Sequence, residues 1–159
     1  SNMAIITNIN QEMLLVNFDT MDVKKIEDHA RDAQVLDDKI YYLTWRDDIS
    51  ILKRCDINGE NSEELVKDCY LFSIVDGNIF YVEFDKDDIL YKYEPNSEKV
   101  SEFLNLEDVE GQSLSINPPF HFTDTGFMVI RVSNPIKSGS EYYCIDLDGT
   151  NPRYIELSI

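Results

Sequence analysis

The stretch that decides the fold is Ile40-Tyr41-Tyr42-Leu43-Thr44-Trp45-Arg46-Asp47-Asp48-Ile49-Ser50-Ile51-Leu52-Lys53-Arg54-Cys55-Asp56-Ile57-Asn58-Gly59. Aromatic and β-branched residues suit a pleated surface, whereas Asp, Asn and Gly tolerate the backbone of tight turns. The stretch therefore reads as strand, turn, strand, turn. Its ending recurs: an acidic residue closes a strand at Asp19, Asp56, Glu94 and Asp146, at intervals of 37, 38 and 52 residues. Four positions before each stands Leu15, Leu52, Leu90 or Tyr142, and turn residues follow each acid. A second short strand is expected next, over residues 23–27, 64–67, 99–104 and 153–157.

A second motif keeps step with the first. Asp37, Asp76 and Asp124 each stand three residues before an apolar strand start, at Ile40, Ile79 and Phe127. Each full unit thus carries four strands, A to D, in an up-and-down meander. Only residues 61–67 compete as a helical turn, and seven residues make a poor isolated helix. The longer last interval is accounted for by loop insertions around Asn134 to Gly139 and within residues 105–119. In the first unit residues 4–9 can supply strand B and 12–18 strand C, with nothing left for strand A. The expected organisation is a tag scar at 1–2, a partial unit at 3–28, full units at 29–68 and 69–105, and a unit with inserted loops at 106–159.

Antiparallel four-stranded units of about 40 residues are the blades of a β-propeller. The expected fold is all-β, a β-propeller-like array of about four blades with the first incomplete. Blades stack face to face, so the runs at Ile40, Ile79 and Phe127 are expected to be covered on both sides. A small ring, a fragment of a larger propeller and an oligomer-completed ring all stay open. The unpaired edge of the partial blade favours the last two. The Ile-Tyr-Tyr strand start at Ile40-Tyr41-Tyr42, with the turns Asp56-Ile57-Asn58-Gly59 and Asp146-Leu147-Asp148-Gly149-Thr150-Asn151, resembles bacterial β-propeller repeats related to the YWTD propeller of low-density-lipoprotein receptors. The Tyr-Trp-Thr-Asp tetrad itself is absent. The resemblance implies a propeller fold and no particular chemistry.

Composition narrows the partners. Of 159 residues, 14 are Lys or Arg and 31 are Asp or Glu, a formal charge of −17 that repels phosphate backbones and anionic membranes. Hydrophobic residues still make up 43%, enough for a buried core. No run reaches the roughly 18 apolar residues of a membrane span, so no membrane insertion is expected. No signal peptide is recognised, Ser1-Asn2 ahead of Met3 has the look of a cleaved tag, and the compartment stays open. Cys55, Cys69 and Cys144 are odd in number and lack CxxC spacing, which points to plain thiols. In the Asp-x-(Asp/Asn)-Gly segments Gly59 and Gly149 stand fourth, not sixth as in a calcium loop, so hairpin turns are expected and neither metal nor cofactor.

A meander sends the B–C and D–A connections to one end, where binding sites gather on rigid scaffolds. The candidate ligand-binding residues are Trp45, Arg46, Asp47, Asp85 and Asp87 from B–C loops, with His29, Arg31 and His121 from D–A connections. An exposed Trp among Arg and carboxylates can stack on and hydrogen-bond a sugar or peptide. The plainer expectation is that Trp45 packs at a blade edge while the acids solvate loops. Nucleophilic catalysis has little support: His29 and His121 are 92 positions apart, no GxSxG frames a serine, and no catalytic residue is assigned. The expected function is a non-catalytic module binding a protein, peptide or glycan. The alternative is a carbohydrate-active enzyme with paired carboxylates at the channel mouth.

Overall fold

The computed structural model describes residues 2–106, 115–122, 126–133 and 140–155. The described residues form fifteen β-strands: β1 (Met3–Thr7), β2 (Met13–Asn17), β3 (Asp22–Glu27), β4 (Ala30–Leu36), β5 (Lys39–Arg46), β6 (Ile49–Asp56), β7 (Glu63–Lys67), β8 (Cys69–Val75), β9 (Asn78–Glu83), β10 (Lys86–Glu94), β11 (Lys99–Asn105), β12 (Ser115–Phe122), β13 (Phe127–Ser133), β14 (Ser140–Asp146) and β15 (Arg153–Ile155). They pair only with chain neighbours, giving β1-β2-β3 and the four-stranded meanders β4 to β7, β8 to β11 and β12 to β15. The first sheet lacks one strand, and residues 63–67 extend as β7 instead of coiling. The chain divides into two compact units, Ser1–Cys69 and Tyr70–Ile159.

The expected insertions have different outcomes. Ser115 to Pro119 belongs to β12, not to a loop; the ladder with β13 loses register between Asn117 and His121, across Pro118-Pro119, which have no N–H to donate. Residues 107–114 and 134–139, which hold the rest of both insertions, lie outside the described residues, as does Asp124.

Turn chemistry follows from backbone conformation. Asp47 and Asp48 both take positive φ (50° and 64°), and so do Asp76 (45°) and Gly77 (71°), the geometry that matches strand twist in two-residue hairpins. Asp37, at φ 52°, also serves through its backbone. The C–D turns repeat atom by atom. Asp56 accepts from Gly59 N at 2.8 Å through its carbonyl and from Asn61 Nδ2 at 2.6 Å through its carboxylate. Asp146 accepts from Gly149 N at 2.9 Å and Asn151 Nδ2 at 2.8 Å in the same way. The second carboxylate oxygen takes a cation in both copies, Lys39 on Asp56 and Arg153 on Asp146. These segments are structural turns, each led by a carboxylate that an asparagine and a cation hold in place.

The core of the first unit joins Met13, Ala30, Ile40, Tyr42 and Cys55 between two facing sheets. That of the second gathers Phe80, Val82, Leu90, Leu104, Ile116, Met128, Ile130, Val132 and Tyr143. In β5 and β9 consecutive apolar residues are all buried, as expected for strands covered on both faces. β13 departs from that expectation: Met128, Ile130 and Val132 are buried while Phe127, Val129 and Arg131 are half-buried. Only one face of that strand lies in the core that β8 to β11 provide. Sheets meet closely at the C–D glycines. A Cβ on Gly59 would fall 2.9 Å from Cγ1 of Ile26 in β3, and one on Gly149 would fall 2.4 Å from the carbonyl oxygen of Phe103 in β11. In each unit, then, the glycine of one sheet's C–D turn seats on the last strand of the sheet before it.

Gly149 and Gly77 separate close approach from conformation. Both have positive φ, but nothing lies within 4 Å of a Cβ on Gly77. Gly77→Ala is expected to cost about 1 kcal/mol, the penalty of the left-handed region alone. Gly149→Ala adds a clash with backbone that no rotamer relieves, for about 3 kcal/mol in all. Urea unfolding of both variants measures the difference; equal losses would refute the packing role. A second test concerns pH. Hydrogen bonds from Lys39 and Asn61 hold the Asp56 carboxyl below its ordinary range, as Lys92 and Ser97 do for Glu94 and Thr150 for Asp148. A lowered folded-state pKa gives stability that is present above the unfolded value, near 3.9 for Asp, and lost as pH falls through the folded value. The stability gap between wild type and Asp56→Asn should therefore be constant from pH 7 to about pH 5 and close below about pH 4.

Candidate functional site

In the first unit the structure brings Arg31 to Trp45. Both lie on strands where loops were expected: Ala30 and Arg31 open β4, and Trp45 and Arg46 close β5, paired with Ser50 and Ile49. The ladder continues this far because the B–C connection needs only Asp47-Asp48. Asp32, at φ 54°, marks a shift of register between Arg31 and Gln34. The Arg31 guanidinium carbon sits 5.1 Å from the centre of the Trp45 ring, within cation–π range. Trp45 is half-buried, Arg46 is exposed and bonds Glu64 at 2.8 Å, and Asp47 is exposed on the turn. His29, exposed at φ 54°, links β3 to β4. These residues gather where β4, β5 and β6 meet their connections.

The second unit holds a groove at its strand ends. Its volume is about 420 Å³, and it is lined by Tyr70, Phe84, Asp87, Ser115, Ile116, Asn117 and Ser133. Every one of these stands where a strand meets a B–C or D–A connection. Tyr70 is at the start of β8, Phe84 in the β9–β10 turn, Asp87 at the start of β10, Ser115 to Asn117 at the start of β12 and Ser133 at the end of β13. Lys86 to Asp88, expected as loop, belong to β10, because the turn is only Phe84-Asp85. Asp88 shows why, its carbonyl accepting from Leu106 N at 3.0 Å. The Tyr70 and Phe84 rings meet at 4.9 Å with planes tilted by 54°, and Phe84 is 43% exposed. Asn117 Nδ2 donates to Ser133 Oγ at 2.7 Å and to the Ser115 carbonyl at 2.9 Å, which fixes its amide. Asp85 is exposed on the adjoining turn. The backbone of His121 lies in β12 opposite Val129. Of the eight sequence candidates, Asp87 is the one among the groove's described lining residues. Phe84 and Asn117 carried no motif and were marked only by standing near the binding end.

One polar cluster in the first unit had no sequence signal at all. Lys53 of β6 pairs with Glu27 of β3, their side chains 11% and 22% exposed. The Tyr42 hydroxyl joins them, 2.9 Å from Ser62 Oγ and 3.4 Å from Glu27. Burial pushes that phenol far above its ordinary range. In sequence Lys53 is one more alternating residue. Only packing makes it a pin between two sheets.

No protein-family model matches the chain, and none of the curated proteins searched matches it either. Solved structures do. The N-terminal domain of Nup159 superposes with a TM-score of 0.63 at 9% identity over 92% of this chain and 42% of its own. An oligogalacturonate lyase in complex with manganese gives 0.60 at 12% identity over 96% and 50%. The β-propeller domain of the Trilobed protease from Pyrococcus furiosus, described as having an open velcro topology, gives 0.60 at 11% identity over 97% and 52%. The fold is of the β-propeller class. The chain spans about half the length of these neighbours, and at such identities the likeness concerns fold alone.

The Lys53–Glu27 pair gives a test of how the first two sheets are held. Lys53→Met leaves a partly buried carboxylate without its cation and should cost about 2 to 3 kcal/mol in urea unfolding. The double variant Lys53→Met with Glu27→Leu should recover most of that loss. A double variant as unstable as the single one would show that the pair acts by shape and not by charge.

Proposed function

We propose that the chain is a non-catalytic propeller-type interaction module that holds an extended segment of a protein partner in the groove of its second unit. The observation that carries this reading is the groove itself. It has two tilted aromatic rings, an amide locked by two hydrogen bonds and a carboxylate, held on strand ends and one two-residue turn. Aromatic rings supply contact area at low entropic cost, and fixed polar groups supply orientation. Protein binding has precedent on the fold, since Nup159 occurs in a Saccharomyces cerevisiae assembly bound to Dbp5. Trp45, Arg31, Arg46, Asp47 and His29 are the candidate contacts of the first unit, and Asp85, Asp87 and His121 those of the second. Kinship with YWTD-type propellers belongs to the same proposal, supported by the Ile40-Tyr41-Tyr42 strand and the paired Asp-x-(Asp/Asn)-Gly turns. So does completion of a larger ring by further blades or by a second copy, in keeping with coverage of about half of each neighbour.

The enzyme alternative takes its support from the oligogalacturonate lyase neighbour. Hydrolysis by paired carboxylates, the form that alternative takes, needs two acids across a cleft, and Asp87 is the one acid among the groove's described lining residues. Selection of peptide ligands from a displayed random library, followed by affinity measurement on Phe84→Ala, tests the proposal. Phe84 is exposed enough for the variant to keep its unfolding midpoint. The selected ligands should bind it about tenfold more weakly. Ligands indifferent to Phe84→Ala, or release of sugars from pectin fragments by the wild type, would overturn the reading.

A further inference from the structure

We infer that the groove of the second unit receives the side chain of a basic residue, arginine or lysine, of the partner segment. The inference rests on the groove being a binding site and adds the chemistry of what enters it. Among its described residues the lining offers acceptors and no cation: the Asp87 carboxylate, the Asn117 amide and the hydroxyls of Ser115 and Ser133 stand beside Tyr70, Phe84 and Ile116. Asn117 has committed its Nδ2 hydrogens to Ser133 and to the Ser115 carbonyl, so what remains to it is the acceptor Oδ1. Its neighbour in the lining, Asp87, is half-buried, and among the described residues no cation pairs with it. Lys86, next to it in the chain, is engaged elsewhere, with Glu83 at 3.1 Å and 5.5 Å from the centre of the Tyr91 ring.

A partly buried carboxylate ordinarily finds a counterion, because withdrawing it from water is costly. Here the counterion is left for a ligand to bring. The Tyr70 and Phe84 rings suit the same guest, since aromatic faces attract ammonium and guanidinium groups. A net charge of −17 draws basic segments toward the chain and repels acidic ones. A neutral sugar would stack on the rings and hydrogen-bond the carboxylate, but it brings no charge to pair with it.

The test is a titration of the ¹⁵N-labelled full chain, at about 0.15 M salt so that diffuse attraction is screened. The probes are acetyl-Gly-Arg-Gly-amide, the same peptide with citrulline or glutamate in place of arginine, and cellotetraose. The expected result is saturable shifts of the amides of Tyr70, Phe84, Asp87 and Asn117 with the arginine peptide. Citrulline, which keeps the shape and loses the charge, should bind at least about tenfold more weakly. Asp87→Asn should lose a similar factor, whereas Asp38→Asn, the same charge change on an A–B turn, should lose none. Equal affinity for arginine and citrulline peptides, or equal effects of the two variants, would overturn the basic-residue inference while leaving the groove a binding site. Saturation by cellotetraose with the arginine peptide silent would hand the groove to a glycan. Shifts gathered away from these amides for every probe would remove both the inference and the proposed site.

Discussion

Ile40, Tyr41, Tyr42 and Leu43 are consecutive, and none is more than 2% exposed. A strand sends successive side chains to opposite faces, so burial of all four requires cover on both faces at once. No single sheet of this size can provide it, and the remaining architecture follows from that requirement. Sheets must repeat, stack and meet closely enough to exclude water. Ile79 to Val82 in β9 obey the same rule. β13, with one face in the core of its unit and the other half-buried, shows what the rule leaves when cover is supplied on one side.

Close stacking explains why the turns are so restricted. A glycine lets the C–D turn seat where a Cβ would come within 3 Å of the sheet before it, and the carboxylate at the head of the turn ties the loop down through an asparagine and a cation. A good part of the acidic excess is thus spent on turn construction: Asp56 and Asp146 by hydrogen bonding, Asp47, Asp48 and Asp76 by tolerating positive φ. The charge of −17 also acts at a distance, as a negative field around the chain.

What could be read from residues alone divides by range. Strand order, the missing strand of the first sheet and the equivalence of Asp56 with Asp146 were legible, because each depends on local period and turn chemistry. The extent of strands was less so. Ala30-Arg31, Trp45-Arg46 and Lys86 to Asp88 carry charges that suggest loops, yet a two-residue turn lets the ladder run on beneath them. Charge reports exposure of a side chain, not the state of the backbone that bears it. The Lys53–Glu27 pair lay deeper still, because β3 and β6 come together only when two sheets pack.

The amino-acid sequence by itself determined the unit, a four-stranded meander closed by an Asp-led turn, since hairpins are set by neighbours a few residues apart. It also placed the B–C and D–A connections at one end of each meander. Only the tertiary structure decided which residues at that end form a cavity. Tyr70, Phe84, Asp87 and Asn117 come from three different strands and a turn, across two sheets, and their juxtaposition is a product of sheet packing that no local pattern encodes.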